Sequence, residues 1–278
     1  TMSISAADVN NLRKKTGAGM MDCKKALMET QGDFEAAIDF LRKNGQKIST
    51  NRADRDAAEG AVIAKTSADF KVGVVIELNC ETDFVAKNDD FVALANEIAD
   101  VALANTPSDL AALTALSMGD TTIQERLLTE MGRIGEKIEI SNYSIMNGDS
   151  VVAYIHAGNK IGVLVVMNQE ANDDIVAAGR DAAMQTAAMF PVAVDKEGVS
   201  QEMMDRELEI GEEQARAEGK PEEMLEKIAL GKLNKFFKES TLLNQDFVKD
   251  GSKTVGKMLD DVSKGLKITH FKRVALGS

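Results

Sequence analysis

Lys71-Val72-Gly73-Val74-Val75-Ile76-Glu77-Leu78-Asn79 returns 89 residues later as Lys160-Ile161-Gly162-Val163-Leu164-Val165-Val166-Met167-Asn168. Both copies are short apolar runs rich in β-branched residues, which read as buried strands. A second strand candidate precedes each one: Ala61-Val62-Ile63-Ala64 in the first half, Val151-Val152-Ala153-Tyr154-Ile155-His156 in the second. Short polar turns join the members of each pair, so each pair is a hairpin. An Ala-rich helix follows each hairpin, over 91–104 and 174–189. Lys137-Ile138-Glu139-Ile140 and Lys267-Ile268-Thr269-His270-Phe271 add a further strand to each half. The reading is α+β: two related subdomains of antiparallel sheet backed by helices.

Ahead of this duplicated core, Ser5-Ala6-Ala7-Asp8 has the capping-box pattern, and Val9 and Leu12 begin an apolar stripe. Thr16-Gly17-Ala18-Gly19 ends that helix. A second helix is predicted over 21–28, and a third restarts at Gly32-Asp33 with Ala37, Ile38 and Leu41 inward and Gly45 as its C-terminal stop. The expected organisation is a three-helix module over 1–46, a polar linker over 47–59, and two subdomains over 60–146 and 147–278. Residues 200–240 interrupt the second half. Met204, Leu208, Gly211 and Ala215 keep helical spacing, Gly219-Lys220-Pro221 breaks the chain, and Met224, Leu225, Ile228, Leu233 and Phe236 run back. This predicts an antiparallel helical hairpin, a short coiled coil, with an acidic outer face at Glu202, Asp205, Glu207, Glu209, Glu212 and Glu213.

The 278 residues carry a formal net charge of −12, which argues against direct binding of RNA or DNA, since that rests on neutralising phosphates. With no Trp and only 4% aromatics, the core must be built from aliphatic residues and the 14 Met. Cys23 and Cys80 are too few and too far apart for a disulfide framework or a zinc site, and read as buried free thiols in a reducing compartment. No signal peptide or membrane span is visible, which predicts a cytoplasmic protein, or an organellar one after processing. Thr1 ahead of Met2 reads as an addition before the natural start.

Candidate sites are few. Thr16-Gly17-Ala18-Gly19-Met20-Met21 follows a helix rather than a strand and lacks the Lys-Ser/Thr of a phosphate-binding loop. It reads as a tight helix–helix turn that offers Met20 and Met21 either to the core or to a partner, a role suited to adaptable thioethers. Thr82-Asp83-Phe84-Val85 sits at the end of the first repeated strand, where loops carry function. Phe84 is there either a core aromatic capping the sheet or an exposed wedge, and Asp83 either caps a helix or meets a partner. Glu81, Asp83, Asp89 and Asp90 do not match the spacing of a Ca²⁺ loop. His156 ends a strand with no paired nucleophile. These residues support neither a metal nor a cofactor, and they support an enzyme poorly.

Leu12-Arg13-Lys14-Lys15-Thr16-Gly17-Ala18-Gly19-Met20-Met21-Asp22-Cys23-Lys24-Lys25-Ala26-Leu27 resembles the N-terminal signature of the translation elongation factor Ts family. Glu77-Leu78-Asn79-Cys80-Glu81-Thr82-Asp83-Phe84-Val85-Ala86-Lys87 resembles that family's second signature, and the order of the later segments agrees, including Phe247-Val248 and Ser252-Lys253-Thr254-Val255-Gly256. The resemblance implies a guanine-nucleotide exchange factor for the GTPase elongation factor Tu, in one-to-one or two-to-two complexes. It implies an N-terminal module similar to the ubiquitin-associated three-helix fold, with Arg13, Met20, Met21 and Lys24 against the partner's nucleotide domain. It places Thr82, Asp83, Phe84 and Val85 at the tip that disturbs the partner's Mg²⁺ site, and His156 and Val248 in contacts from the second subdomain. Many members carry an extra C-terminal helix past the last strand, whereas here Lys272-Arg273-Val274-Ala275-Leu276 is followed closely by Ser278. A docking adaptor without exchange activity is the alternative reading.

Overall fold

The computed structural model describes residues 4–277. Three helices open it: α1 (Ala6–Thr16), α2 (Met20–Glu29) and α3 (Phe34–Asn51). The capping box forms as expected, with the Asp8 N–H donating to Ser5 Oγ at 3.1 Å and the Ser5 N–H to Asp8 Oδ2 at 3.0 Å. Gly17, at φ +74°, closes α1 by donating its N–H to the Arg13 carbonyl. Leu12, Cys23, Ala26, Leu27, Ala37 and Leu41 form a core belonging to this module alone.

Gly45 does not end α3. The helix continues to Asn51, so residues 47–51 of the expected linker are helical. Gly45 is there for proximity, not termination: a Cβ on it would sit 2.0 Å from the carbonyl oxygen of Leu128. That carbonyl belongs to a helix the sequence reading did not anticipate. It is reached through β1 (Glu59–Thr66), β2 (Val72–Cys80), the single turn α4 (Asp83–Ala86), α5 (Asp89–Asn105), α6 (Leu110–Thr114) and the small hairpin β3 (Ser117–Met118) and β4 (Thr121–Thr122). Then come α7 (Ile123–Ile134), capped by a second capping box between Thr122 and Glu125, and β5 (Glu139–Asn147).

The second half repeats the plan with β6 (Ser150–His156), β7 (Ile161–Met167), α8 (Asp173–Met189), α9 (Gln201–Ala217), α10 (Glu222–Ser240), β8 (Asp246–Phe247), β9 (Asp250–Thr254), α11 (Val255–Val262) and β10 (Ile268–Ala275). The sheet orders are β1-β2-β5 and β6-β7-β10, all antiparallel, with the two copies of the repeat as the central strands. Helices α9 and α10 form the predicted hairpin. Gly211 and Ala215 pack against Leu225, Ala229 and Leu233, while Gly219 makes the bend at φ +79°. Met224 leaves the expected inner stripe and is exposed, because it stands one residue, or about 100° of helix rotation, from Leu225.

The two sheets pack face to face, and strand alternation sorts the side chains. Val74, Ile76 and Leu78 of β2 face α5 and α7, whereas Val163, Val165 and Met167 of β7 face α8. Val62 and Val75 turn the other way and meet Val151, Leu164 and Val166 in a shared inner core. Gly73 and Gly162 hold equivalent places in the repeat, and their neighbours are reciprocal. A Cβ on Gly73 would meet Val151 at 2.6 Å and Leu164 at 3.0 Å, and one on Gly162 would meet Val62 at 2.7 Å and Val75 at 3.2 Å. The duplicated glycine therefore lets the sheets approach, giving four layers: helices, sheet, sheet, helices.

Candidate functional site

Strand β2 runs out of the core at Cys80, and the chain turns at once into α4. Thr82 is the N-cap of this turn, its hydroxyl accepting the Val85 N–H at 3.4 Å. Val85 and Ala86 pack half-buried against the first-sheet core, which leaves Phe84 pointing outward. Phe84 is 84% exposed, the most exposed large apolar side chain among the described residues. Phe84 is exposed and is not a core aromatic capping the sheet, because Val85, not Phe84, supplies the inward anchor. Asp83 caps nothing. It pairs with Lys87 at 2.8 Å, and this hydrogen bond holds its carboxyl below the usual range while raising the Lys87 ammonium. Just behind the tip, burial pushes the Cys80 thiol up to about 12, which makes it inert rather than nucleophilic.

The base of the tip is bound from three sides. The Glu136 carboxylate accepts the N–H groups of Glu81 and Thr82, each at 3.1 Å, and the Thr82 hydroxyl at 2.7 Å. In return the Glu81 carboxylate accepts the Lys137 N–H at 2.7 Å. The Arg52 guanidinium, from the C-terminal cap of α3, reaches the two Glu81 oxygens at 2.9 and 2.7 Å.

A shallow recess beside Phe84 is lined by Val85, Asn88, Phe91, Arg133 and Ile134. Arg133 also lines a larger cleft of about 510 Å³ on its other side, shared with Arg13, Gly17, Gly19, Met20 and Arg126. Met20 is 53% and Met21 73% exposed, so neither serves as core. The glycine turn presenting them rests on α7: a Cβ at Gly17 would lie 2.9 Å from Arg126 Cζ, and one at Gly19 would lie 3.4 Å from Arg133 Cγ. Both arginines are held by the buried Glu130, Arg126 at 3.3 Å and Arg133 at 2.6 Å. The structure thus brings Arg13 and Met20 into one neighbourhood with Phe84, and the connecting groups are Arg126, Glu130 and Arg133. Sequence reasoning missed these three. Their signal was present as a Thr122–Glu125 capping box followed by charges three and four residues apart. Lys24 lies on the exposed face of α2, one turn beyond Met20 and Met21.

His156 and Val248 lie in the second half of the chain, His156 at the end of β6 and Val248 between β8 and β9. The Tyr154 hydroxyl bonds His156 Nδ1 at 3.0 Å, with the rings 5.7 Å apart. Val248, 48% exposed at the β8–β9 turn, donates its N–H to Oε1 of the fully buried Gln185 at 2.9 Å. Among the described residues no hydrogen bond joins His156 or Val248 to the tip. Nor is there, among them, a cluster of His, Cys, Asp and Glu able to hold a metal ion, or a helix long and apolar enough to cross a membrane. What the site offers is an exposed aromatic on a hydrogen-bonded base, near the exposed Met20 and Met21 of the module.

A family model described as Elongation factor TS matches residues 81–278. Curated relatives called Elongation factor Ts extend over essentially the whole chain. The protein from Cytophaga hutchinsonii is 54% identical over 275 residues, covering 99% of each chain. That from Amoebophilus asiaticus is 51% identical over 277 residues, covering 100% of each, and that from Christiangramia forsetii is 51% identical over 274 residues, covering 99% of each. Exposed tip, glycine-turn module and full-length likeness agree, and this chain belongs to the elongation factor Ts family, whose members serve translation elongation.

Proposed function

We propose that this protein is a guanine-nucleotide exchange factor that binds the GDP form of elongation factor Tu in the cytoplasm and speeds GDP release, making no covalent bond itself. The observation that carries this reading is Phe84: a large aromatic with 84% of its surface in water, on a turn whose base is pinned by six hydrogen bonds. Exposed aromatics on a rigid base are the usual anchors of interfaces. Thr82, Asp83, Phe84 and Val85 disturb the partner's Mg²⁺ and phosphate site in this reading. Arg13, Met20, Met21 and Lys24 hold the nucleotide domain, and His156 and Val248 provide a second contact.

The thermodynamics constrain the mechanism. Exchange factor and nucleotide are coupled ligands of one GTPase, so each weakens the other's binding by the same factor. Phe84 acts only insofar as it binds the distorted partner better than the relaxed one. Each ~1.4 kcal/mol removed from the release barrier is a tenfold gain in rate.

The test is release of a fluorescent GDP analogue from elongation factor Tu, with and without this protein and its Phe84→Ala variant. Fast release with wild type and little with the folded variant is the expected result. Binding without acceleration by wild type would refute the exchange reading and favour a docking adaptor built on the methionine face of the module.

A further inference from the structure

The clasp beneath Phe84 has no place in the list of contacts that the exchange reading requires, yet its geometry is specific. Residues 81–82 and 136–137 exchange carboxylates: Glu136 takes the backbone N–H groups of Glu81 and Thr82, and Glu81 takes the backbone N–H of Lys137. Two chain crossings are thereby locked to each other without a ladder of strand hydrogen bonds, at the point where β2 leaves its sheet and β5 enters it. Charge-assisted bonds of this kind are the strong class. The third member, Arg52, caps the helix that runs back into the N-terminal module.

We propose that Glu136 is the positioning residue for the Phe84 wedge, and that Arg52, through Glu81, keeps the wedge in register with the methionine face of the module. The inference rests on the exchange reading for its functional half. Glu136 does not reach the surface that Phe84 presents. Its three acceptor bonds end on Glu81 and Thr82, and Thr82 is the N-cap from which α4 starts. Without that carboxylate, two N–H groups and a hydroxyl at the base of the turn lose their partner. The turn has only four helical residues, too short to hold its shape alone. Phe84 would then reach the partner from many orientations instead of one.

A wedge that is present but misaimed should lower the rate of the bound step more than the affinity. Exchange is therefore measured as kcat and KM for the GDP-loaded partner, using Glu136→Ala, Glu136→Gln and Arg52→Ala in the full chain. Misplacing a group that must act in one geometry costs on the order of 10²-fold, so kcat of Glu136→Ala should fall between about tenfold and a hundredfold with KM nearly held. Glu136→Gln keeps a carbonyl oxygen for the two N–H groups, and should recover most of the rate. Arg52→Ala should fall between them. A second readout needs no partner: amide hydrogen exchange of the peptide 81–90 should speed up at least about tenfold in Glu136→Ala while the β7 amides stay protected.

An unchanged kcat, or a loss carried by KM alone, overturns the proposal, as does unaltered protection of 81–90. If Glu136→Ala fails to fold, the Glu136→Gln and Arg52→Ala variants carry both measurements. Should wild type itself fail to accelerate GDP release, the exchange reading fails on its own, and the protection of 81–90 still decides whether Glu136 holds the tip.

Discussion

Replacing Gly45 by alanine should destabilise this protein, although alanine is the better helix former. Gly45 lies inside α3, where exchange of glycine for alanine ordinarily gains ~1 kcal/mol. Here the new methyl carbon would stand 2.0 Å from the Leu128 oxygen, 2.6 Å from its carbonyl carbon and 3.3 Å from its Cα. All three are backbone atoms of α7, so no rotamer change relieves them, and the two helices must part by more than ~1 Å to restore ordinary contact. Overpacking of this kind costs typically ~1–3 kcal/mol, enough to cancel the propensity gain and leave a net loss of up to ~2 kcal/mol. The control is Gly231→Ala. Gly231 is also interior to a helix, α10, but a Cβ there meets nothing within 4 Å, so the same exchange should stabilise by ~0.5–1 kcal/mol. Urea denaturation of both variants, with amide exchange to localise the effect, reads the opposite signs. Loosening in Gly45→Ala should centre on α3 and α7 and spare β6 and β7. Equal or greater stability of Gly45→Ala would refute the close crossing of α3 and α7, and with it the account of how the module is seated.

Three further outcomes are expected. Phe84→Ala should barely change stability, because a side chain 84% exposed buries only about 30 Å² in the folded chain, under ~1 kcal/mol, whereas an interface anchor is worth ~2–4 kcal/mol, or roughly 30- to 700-fold in exchange; a large drop in melting temperature would return Phe84 to the core. Gly73→Ala and Gly162→Ala should destabilise by similar amounts, typically ~1–3 kcal/mol, since their would-be contacts at the sheet–sheet interface are reciprocal; a tolerated change at either position would refute that packing. Burial raises the Glu81 carboxyl, but the Lys137 N–H and the Arg52 guanidinium outweigh it and hold it below the ordinary 4.5, so its stabilising effect is present above that value and lost as pH falls through the lowered one. The melting temperature of Glu81→Gln should therefore lie below wild type at neutral pH, with the gap closing on acidification; a gap that does not narrow at all between neutral and strongly acidic pH would overturn the assignment.

Much of this architecture was legible as periodicity. The two apolar runs sharing the Lys-x-Gly opening identified the central strands, and Ser5 with Asp8 located the first helix start. The helical hairpin followed from its break at Gly219-Lys220-Pro221. The misreadings also have physical causes. Gly45 resembles a C-terminal stop because glycine lowers helix propensity, but a close helix crossing tolerates that cost, and nothing within the helix itself reports a neighbour 83 residues downstream. Helix α7 was legible in the unbroken stripe of Ile123, Leu127, Met131 and Ile134 but was not read, and Arg126, Glu130 and Arg133 line the row beside that stripe. Those charges are accepted only because they neutralise one another against the module.

The sequence alone determined the family, the duplicated sheet and the identity of the tip residues, because each of these resides in local pattern and motif. Whether Phe84 faced core or solvent was not written locally, since an aromatic at a strand end suits either side. Packing decided it: Val85 took the inward position, and Glu136 and Arg52, distant in sequence, closed on the base of the turn. The seating of the module against α7 was likewise settled by tertiary contact. Burial, reciprocal hydrogen bonding and interhelical distance are properties of pairs of segments, which no single stretch of the chain contains.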